Sequence, residues 1–402
     1  MNSYDALVIG AGPAGATAAL MLARAGWSVA LIEKARFPRR KVCGEFISAT
    51  TLPLLREFGL ADDYLAQSGP AVQQVGLYAG DTILAADMPR PRGGADSFGR
   101  ALGREHLDEL MLRAAESAGA AVWQPWTLTD LARETGGYAA TATAKDTRVS
   151  VRLNARVIIA AHGSWEPGRL PTQIGTVAPR NGDLFGFKAH FLNCALPAGL
   201  MPLLLFPGGY GGMVHSDGGR VSLSCCIRRD SLTRCRSERP RMKAADAVIA
   251  HIRASCLGVE RALEGAQRDA DWLSAGPIRP GIRSFRDDGI FAVGNAAGEA
   301  HPLVAEGISM AIQSSWLLCG HLIANRAAIL SGRGTDVVAR AYAAAWRRNF
   351  APRLRAAAVF ANLATHPLAA KFATFALARV PAMLTLGAYL GGKARPLMFA
   401  ER

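Results

Sequence analysis

Three glycines and one acid give the first chemical reading. Gly10-x-Gly12-x-x-Gly15 follows the apolar run Ala6-Leu7-Val8-Ile9 and opens an alanine- and leucine-rich stretch, residues 13–25, that Gly26 stops. A second apolar run, residues 28–32, ends on Glu33. Strand, glycine turn, helix and strand in this order form the unit that binds dinucleotides. Gly10 permits the tight turn, Gly12 lets the backbone approach a pyrophosphate, and Gly15 lets the helix pack on the strand. Pro13 and Ala14 begin the helix, whose free N–H groups and partial positive charge suit phosphate. Glu33 is placed to accept hydrogen bonds from ribose hydroxyls. An acid there suits an unphosphorylated ribose, so FAD or NAD is expected rather than NADP. Only one such fingerprint is present, so NAD(P)H, as a reductant, would visit transiently or be replaced by a separate electron donor.

Cys43 is a second chemical candidate. A free cysteine is ordinarily a small buried hydrophobe. Here Arg39, Arg40 and Lys41 precede it, and a cationic neighbourhood favours the thiolate.

The elements that must position these groups are read in order. Residues 36–45 form a charged, proline-containing loop leading into a helix near 48–58. Residues 75–88 alternate around Gly80-Asp81 as a hairpin, and 89–94 form a linker-like patch. A helix begins after Gly103, and 121–123 read as a strand. Residues 138–144 and 148–153 read as a hairpin and 155–160 as a separate buried strand ending in His162-Gly163. Four short alternating runs between 184 and 227, separated by glycine turns, predict an antiparallel sheet. A basic stretch, 228–243, precedes one helix over 244–262. Residues 289–298 repeat the order of turn, buried strand and glycine, and a helix runs over 309–326. The tail is helical. Its apolar part, 368–390, is interrupted by Lys371, Arg379 and Pro381. That favours amphipathic helices packed on the body or lying on a bilayer over a membrane span.

Half of the 402 residues are hydrophobic, enough for a large core. The net charge of +14 fits an arginine-rich solvated surface, or attraction to an anionic carrier protein, lipid headgroups or a phosphorylated substrate. No interleaved aromatic and basic segment points to nucleic acid. The seven cysteines lack metal-ligand spacing, and the first strand starts at the N-terminus without a signal peptide. The expected location is cytoplasmic, with peripheral attachment to the inner membrane surface as an extension of it.

Taken together, GAGPAG with Glu33, Gly103-Arg104-x-x-Leu107-Asp108 and Val293-Gly294-Asn295-Ala296-Ala297 resemble the FAD-dependent oxidoreductases of the para-hydroxybenzoate hydroxylase superfamily. The resemblance covers most of residues 1–325. Lys41-Val42-Cys43-Gly44, Ala297-Gly298 and Glu306-Gly307-Ile308 are most similar to the geranylgeranyl reductase-like branch. The resemblance implies that Gly10, Gly12, Pro13, Ala14 and Gly15 cradle the FAD pyrophosphate and that Glu33 holds the ribose. It implies that Lys41 and Cys43 belong to a loop beside the flavin ring, and that Arg104 lies along the ribityl or pyrophosphate side. Asn295 stands where the family's aspartate bonds the ribityl chain, and the Gly307 and Ile308 N–H groups face the flavin N1–O2 edge. Tyr210 keeps a place in the substrate wall. Cys43 and Tyr210 are the catalytic candidates.

There are departures. His162-Gly163 replaces an aspartate-glycine, Asn295 replaces an aspartate, and Gly212 stands where the reductases have tryptophan, which implies a differently shaped cavity. The G-W-x-W-x-I-P segment of halogenases is missing.

The expected architecture is α/β. A Rossmann-like FAD-binding domain is assembled from 1–75, 97–170 and 276–325. An antiparallel β-sheet substrate domain comes from 76–96 and 171–275, and a C-terminal helical region from 326–402. The expected activity is FAD-dependent hydroxylation or C=C reduction of a hydrophobic polyketide-, aromatic- or lipid-like molecule. The alternatives are a non-catalytic FAD-binding redox sensor and a flavin-dependent halogenase.

Overall fold

The computed structural model describes residues 2–393, apart from 91–96, 164–167, 174, 176, 177, 284, 286, 287 and 366. Residues 91–94 of the linker-like patch and the tail beyond Lys393 lie outside the described residues.

A first sheet is built on Asn2–Ile9, which pairs in parallel with Val29–Ile32 on one side and Ser150–Ala160 on the other. Ala121–Trp123 extends it beyond Val29–Ile32. The inner halves of these strands are buried on both faces, which is why they read as unbroken apolar runs. Residues 150–160 form one strand, where the sequence suggests two. Asn154 causes no break, because its first half pairs antiparallel with Gly137–Ala144 and its second half pairs in parallel with Ile290–Ala292. Helices Pro13–Arg24 and Gly307–Ala324 pack on one face of this sheet, tied by the Ser315 hydroxyl donating to Ala14 O at 2.7 Å.

The second sheet holds the strands Leu184–Leu192, Val221–Arg228, Gly209–His215 and Leu200–Phe206, followed by the hairpin Gln74–Ala79 and Thr82–Asp87. It is mixed where the sequence suggests purely antiparallel pairing: Leu200–Phe206 runs parallel to Gln74–Ala79. The hairpin arrives from a distant part of the chain, so no tight turn dictates its direction. One face is covered by helices Ala244–Ser255 and Leu257–Ala262. The sequence suggests one helix here. It breaks at Cys256, whose φ/ψ of −139/97° is extended, and the break lets Gly258 approach the Tyr78 ring.

The other face of this sheet looks toward the first sheet and toward the C-terminal helices Thr335–Thr365, Pro367–Arg379 and Ala382–Leu390. The long helix is anchored by buried Tyr342, Trp346 and Phe350, and the Tyr342 hydroxyl donates to Ala292 O at 2.8 Å. Gly307–Ala324 is the one helix among the described residues long and apolar enough to cross a membrane, and 61% of it is buried in the body.

Candidate active site

A cavity of about 410 Å³ opens at the C-terminal ends of the parallel strands, where Gly10, Gly12, Pro13, Ala14 and Glu33 meet Arg104. Open α/β sheets take ligands in such a crevice. Gly10 has φ +100°, and a Cβ there would stand 2.8 Å from Ala161 O. A Cβ on Gly15 would fall 1.7 Å from Gly10 O, so Gly15 sets the approach of helix to turn and does not line the cavity. A Cβ on Gly12 would project toward the guanidinium groups of Arg104 and Arg39, at 3.6 and 4.0 Å. No side chain caps the helix that starts at Pro13, so its first N–H groups remain available.

Glu33 is buried and holds the glycine turn itself. Its Oε2 accepts from Ala11 N–H at 2.9 Å and its Oε1 from Ala35 N–H at 2.8 Å, with Arg39 at 3.4 Å. Oε1 keeps a second lone pair for a ribose hydroxyl.

The cations around this cavity fit a diphosphate. Arg104 is buried and bonded bidentately to Asp108, at 2.7 and 2.8 Å. Burial alone would lower its pKa, but Asp108 and the Cys43 thiol outweigh that and raise it. Lys41 is pushed down to about 8 by burial first, then by repulsion from Arg104 and Arg39. Three cations crowded round one cavity, beside an uncapped helix, call for an anion.

A second cavity, of about 600 Å³, adjoins the first. The two share Val42, Cys43, Asn295, Gly307 and Ile308, so these residues mark their junction. The Cys43 thiol accepts from Glu45 N–H at 3.4 Å. Asn295 Nδ2 donates to Glu299 Oε1 at 3.2 Å. Gly307 and Ile308 are the first residues of the long buried helix, whose N-terminus has no side-chain cap and is its positive end.

The lining of the second cavity is mostly apolar. Tyr210 lies here and not in the first cavity. It is buried, and its hydroxyl lies 3.2 Å from His301 Nδ1. Burial lowers the His301 pKa, and burial, with Cys226 and Glu299 nearby, raises that of Tyr210. Both side chains are therefore neutral near pH 7. At Gly212 a Cβ would meet nothing closer than Pro202 O at 3.4 Å, so the missing side chain leaves room.

Sequence reasoning passes over His301 as a residue merely preceding a proline. It misses Glu45 altogether. Glu45 is fully buried at φ +64°, two residues after Cys43. Its carboxylate takes an ion pair from Lys188, a hydrogen bond from His190 Nε2 at 2.7 Å and one from Arg104 N–H at 3.2 Å. His190 Nδ1 lies 2.8 Å from Arg40 Nη2. Arginine can only donate, so Nδ1 accepts and Nε2 carries the proton given to Glu45. Lys188 and His190 sit two apart on Leu184–Leu192 and point the same way. The cluster thus clamps the Cys43 loop to the second sheet. A buried lysine, Lys393, makes a similar tie from the tail. It donates to Val304 O at 2.7 Å and pairs with Glu306 at 2.9 Å. The basic helix Arg229–Glu238 lies apart from both cavities, with Arg228 paired to Asp230 at 2.7 Å.

Known proteins share this organisation. "Conditioned medium factor receptor 1" of Dictyostelium discoideum is 29% identical over 334 residues, 78% of this chain and 62% of that protein. "Geranylgeranyl diphosphate reductase" of Rhodobacter capsulatus is 33% identical over 162 residues, 40% of this chain and 38% of that one. The chain thus spans less than two thirds of the length of these curated relatives. Among solved structures, the myxobacterial chondrochloren halogenase superposes with a TM-score of 0.74 at 22% identity, covering 87% of this chain and 80% of the other, which is a likeness of fold. The model of the family described as FAD binding domain matches residues 3–357, and the chain belongs to that family of FAD-dependent oxidoreductases.

Proposed function

We propose that this flavoenzyme reduces a C=C bond in a hydrophobic molecule held in the 600 Å³ cavity. The observation that carries the reading is the neutral Tyr210–His301 pair in the apolar wall, beside a junction shared with the cofactor cavity. Bound FAD, once reduced, supplies the hydride. Alkene reduction then needs one proton for the other carbon and an apolar enclosure that keeps water out. Tyr210 is the proton donor in this reading. His301 Nδ1 is within hydrogen-bond distance to resupply it, and Cys43 is the competing acid at the junction. The positive end of the Gly307–Ala324 helix stabilises negative charge at the cofactor edge. Arg39, Lys41 and Arg104 hold the diphosphate, Glu33 the ribose, and Asn295 the ribityl chain. NADPH or NADH serves as the visiting reductant. The relatedness to a geranylgeranyl diphosphate reductase supports this chemistry.

The test is strictly anaerobic. Protein reduced with NADPH, NADH or dithionite is mixed with polyprenyl alkenes and prenylated quinones, and the products are weighed by mass spectrometry. Reoxidation of the flavin with a product gaining two hydrogens is the expected result. A product that forms only in air and gains oxygen would replace reduction by hydroxylation. A product that forms only with added bromide or chloride would replace it by halogenation. A protein whose bound flavin is never reoxidised by any substrate would be a sensor.

A further inference from the structure

The exposed apolar side chains are concentrated at one place. Among the described residues, eleven of the sixteen large hydrophobics that face solvent lie between Val359 and Leu390. Leu368 is 84% exposed, Phe372 75% and Phe375 55%. A patch of this kind marks an interaction surface. Its charge identifies the partner. Residues 359–390 carry Lys371 and Arg379 and no aspartate or glutamate, and Arg355 precedes them on the long helix. Arg379 lies 4.4 Å over the Phe375 ring, and Arg355, Val359 and Leu363 follow one another at four-residue steps along one helix face. Exposed aromatics and aliphatics interleaved with cations suit the headgroup layer of an anionic bilayer. A second copy would set these positive charges against their own like, with no acidic residue in 359–390 to pair them.

The helices are too short to span. Pro367–Arg379 has 13 residues and Ala382–Leu390 has nine, against about 20 needed to cross. They meet at Pro381, where the axes of Phe372–Arg379 and Ala382–Leu390 bend by 114°, so they do not form one straight span. Met383, Leu386 and Leu390 of the second of these helices, with Phe360 and Leu363 of the long helix before them, line the larger cavity.

We infer that the helices over 359–390 dock on an anionic lipid bilayer and that the cavity takes its apolar substrate directly from the membrane. The second half of this inference rests on the cavity being the substrate site; the docking does not.

The experiment is flotation of the full-length flavin-loaded protein with vesicles of phosphatidylcholine alone or mixed with phosphatidylglycerol. Flotation is expected with the mixed vesicles and is at least tenfold weaker with phosphatidylcholine alone. The Phe372→Ser/Phe375→Ser variant should lose at least tenfold in partition at unchanged Tm. A Phe372→Trp variant should show added fluorescence that brominated phospholipid quenches. Wild-type protein that floats with neither vesicle, a serine variant that floats equally well, or an unquenched tryptophan would each overturn the docking. A vesicle-independent dimer abolished by the serine substitutions would overturn it in favour of a second copy. Flavin absorbance of the same fractions reports on the cofactor site separately, so loss of the proposed reaction and loss of docking are read apart.

Discussion

Replacing Glu45 with glutamine is the sharpest perturbation of the site. The carboxylate faces three donors: Lys188 Nζ, the Nε2–H of His190 and the backbone N–H of Arg104. Glutamine offers one acceptor oxygen and an NH2 group that must confront one of those donors. It also leaves Lys188, 0% exposed, as an uncompensated buried cation. Breaking a buried ion pair from one side costs about 3–5 kcal/mol. At roughly 2 °C per kcal/mol for a chain of this size, Tm should fall by roughly 6–10 °C. Calorimetry and urea unfolding of flavin-loaded protein at pH 7 measure this. Adding Lys188→Met removes the orphaned charge and should recover more than half of the loss. A Glu45→Gln protein within about 1 kcal/mol of wild type would refute the clamp, because surface substitutions commonly fall in that range.

The same group predicts a pH dependence. Burial alone would raise the Glu45 pKa, but the His190 hydrogen bond and the Lys188 charge outweigh it and hold it far below its ordinary 4.5. A carboxylate with a depressed folded pKa contributes stability that is complete above its unfolded value. That contribution drains away as pH falls below 4.5 toward the folded pKa. The acid limb of the stability curve should flatten in Glu45→Gln.

Four further outcomes follow from the geometry. Gly15→Ala puts a methyl 1.7 Å from Gly10 O and should abolish flavin retention, read as colourless purified protein. Lys41 sits near pKa 8 without a ligand, and a bound diphosphate raises it, so binding takes up a proton; FAD affinity by fluorescence titration should weaken as pH rises through about 8, and Lys41→Met should remove that dependence. Tyr210→Phe and His301→Gln should lower kcat by about 10²–10⁴-fold with FAD affinity unchanged, the usual worth of a positioned acid. Cys43→Ser should cost less than about tenfold in kcat; the reverse ranking of these variants would make Cys43 the acid.

The glycine-turn half of the candidate site is legible in the sequence because its determinants are local. Strand, turn and helix follow one another within thirty residues, and each glycine has a steric reason that depends on near neighbours. The half around the second cavity is not local. Lys188 alternates with apolar residues on a strand and reads as a solvent-facing position, yet it points at a glutamate 143 residues earlier. His301 acquires meaning only because Tyr210 is 3.2 Å away. Asn154 looks like a strand break until Ser3 and Ala139 are seen on either side of it. The break at Cys256 likewise gains its meaning from a remote contact, the approach of Gly258 to the Tyr78 ring.

The cofactor cavity is closed by segments from opposite parts of the chain: Gly10–Ala14, then Arg104, then His162, and finally Gly294 to Ala311. Even the first strand has a partner some 150 residues away, since Asn2 pairs with Leu153. During synthesis the nucleotide fingerprint therefore emerges first but stays incomplete while nearly three hundred further residues are added. A ribosome-bound chain lacking the Gly307–Ala324 helix has the glycine turn without the wall that would receive the flavin ring in the proposed arrangement. In that arrangement cofactor loading is a late event, and until then the apolar strands that surround the site must be shielded by other means.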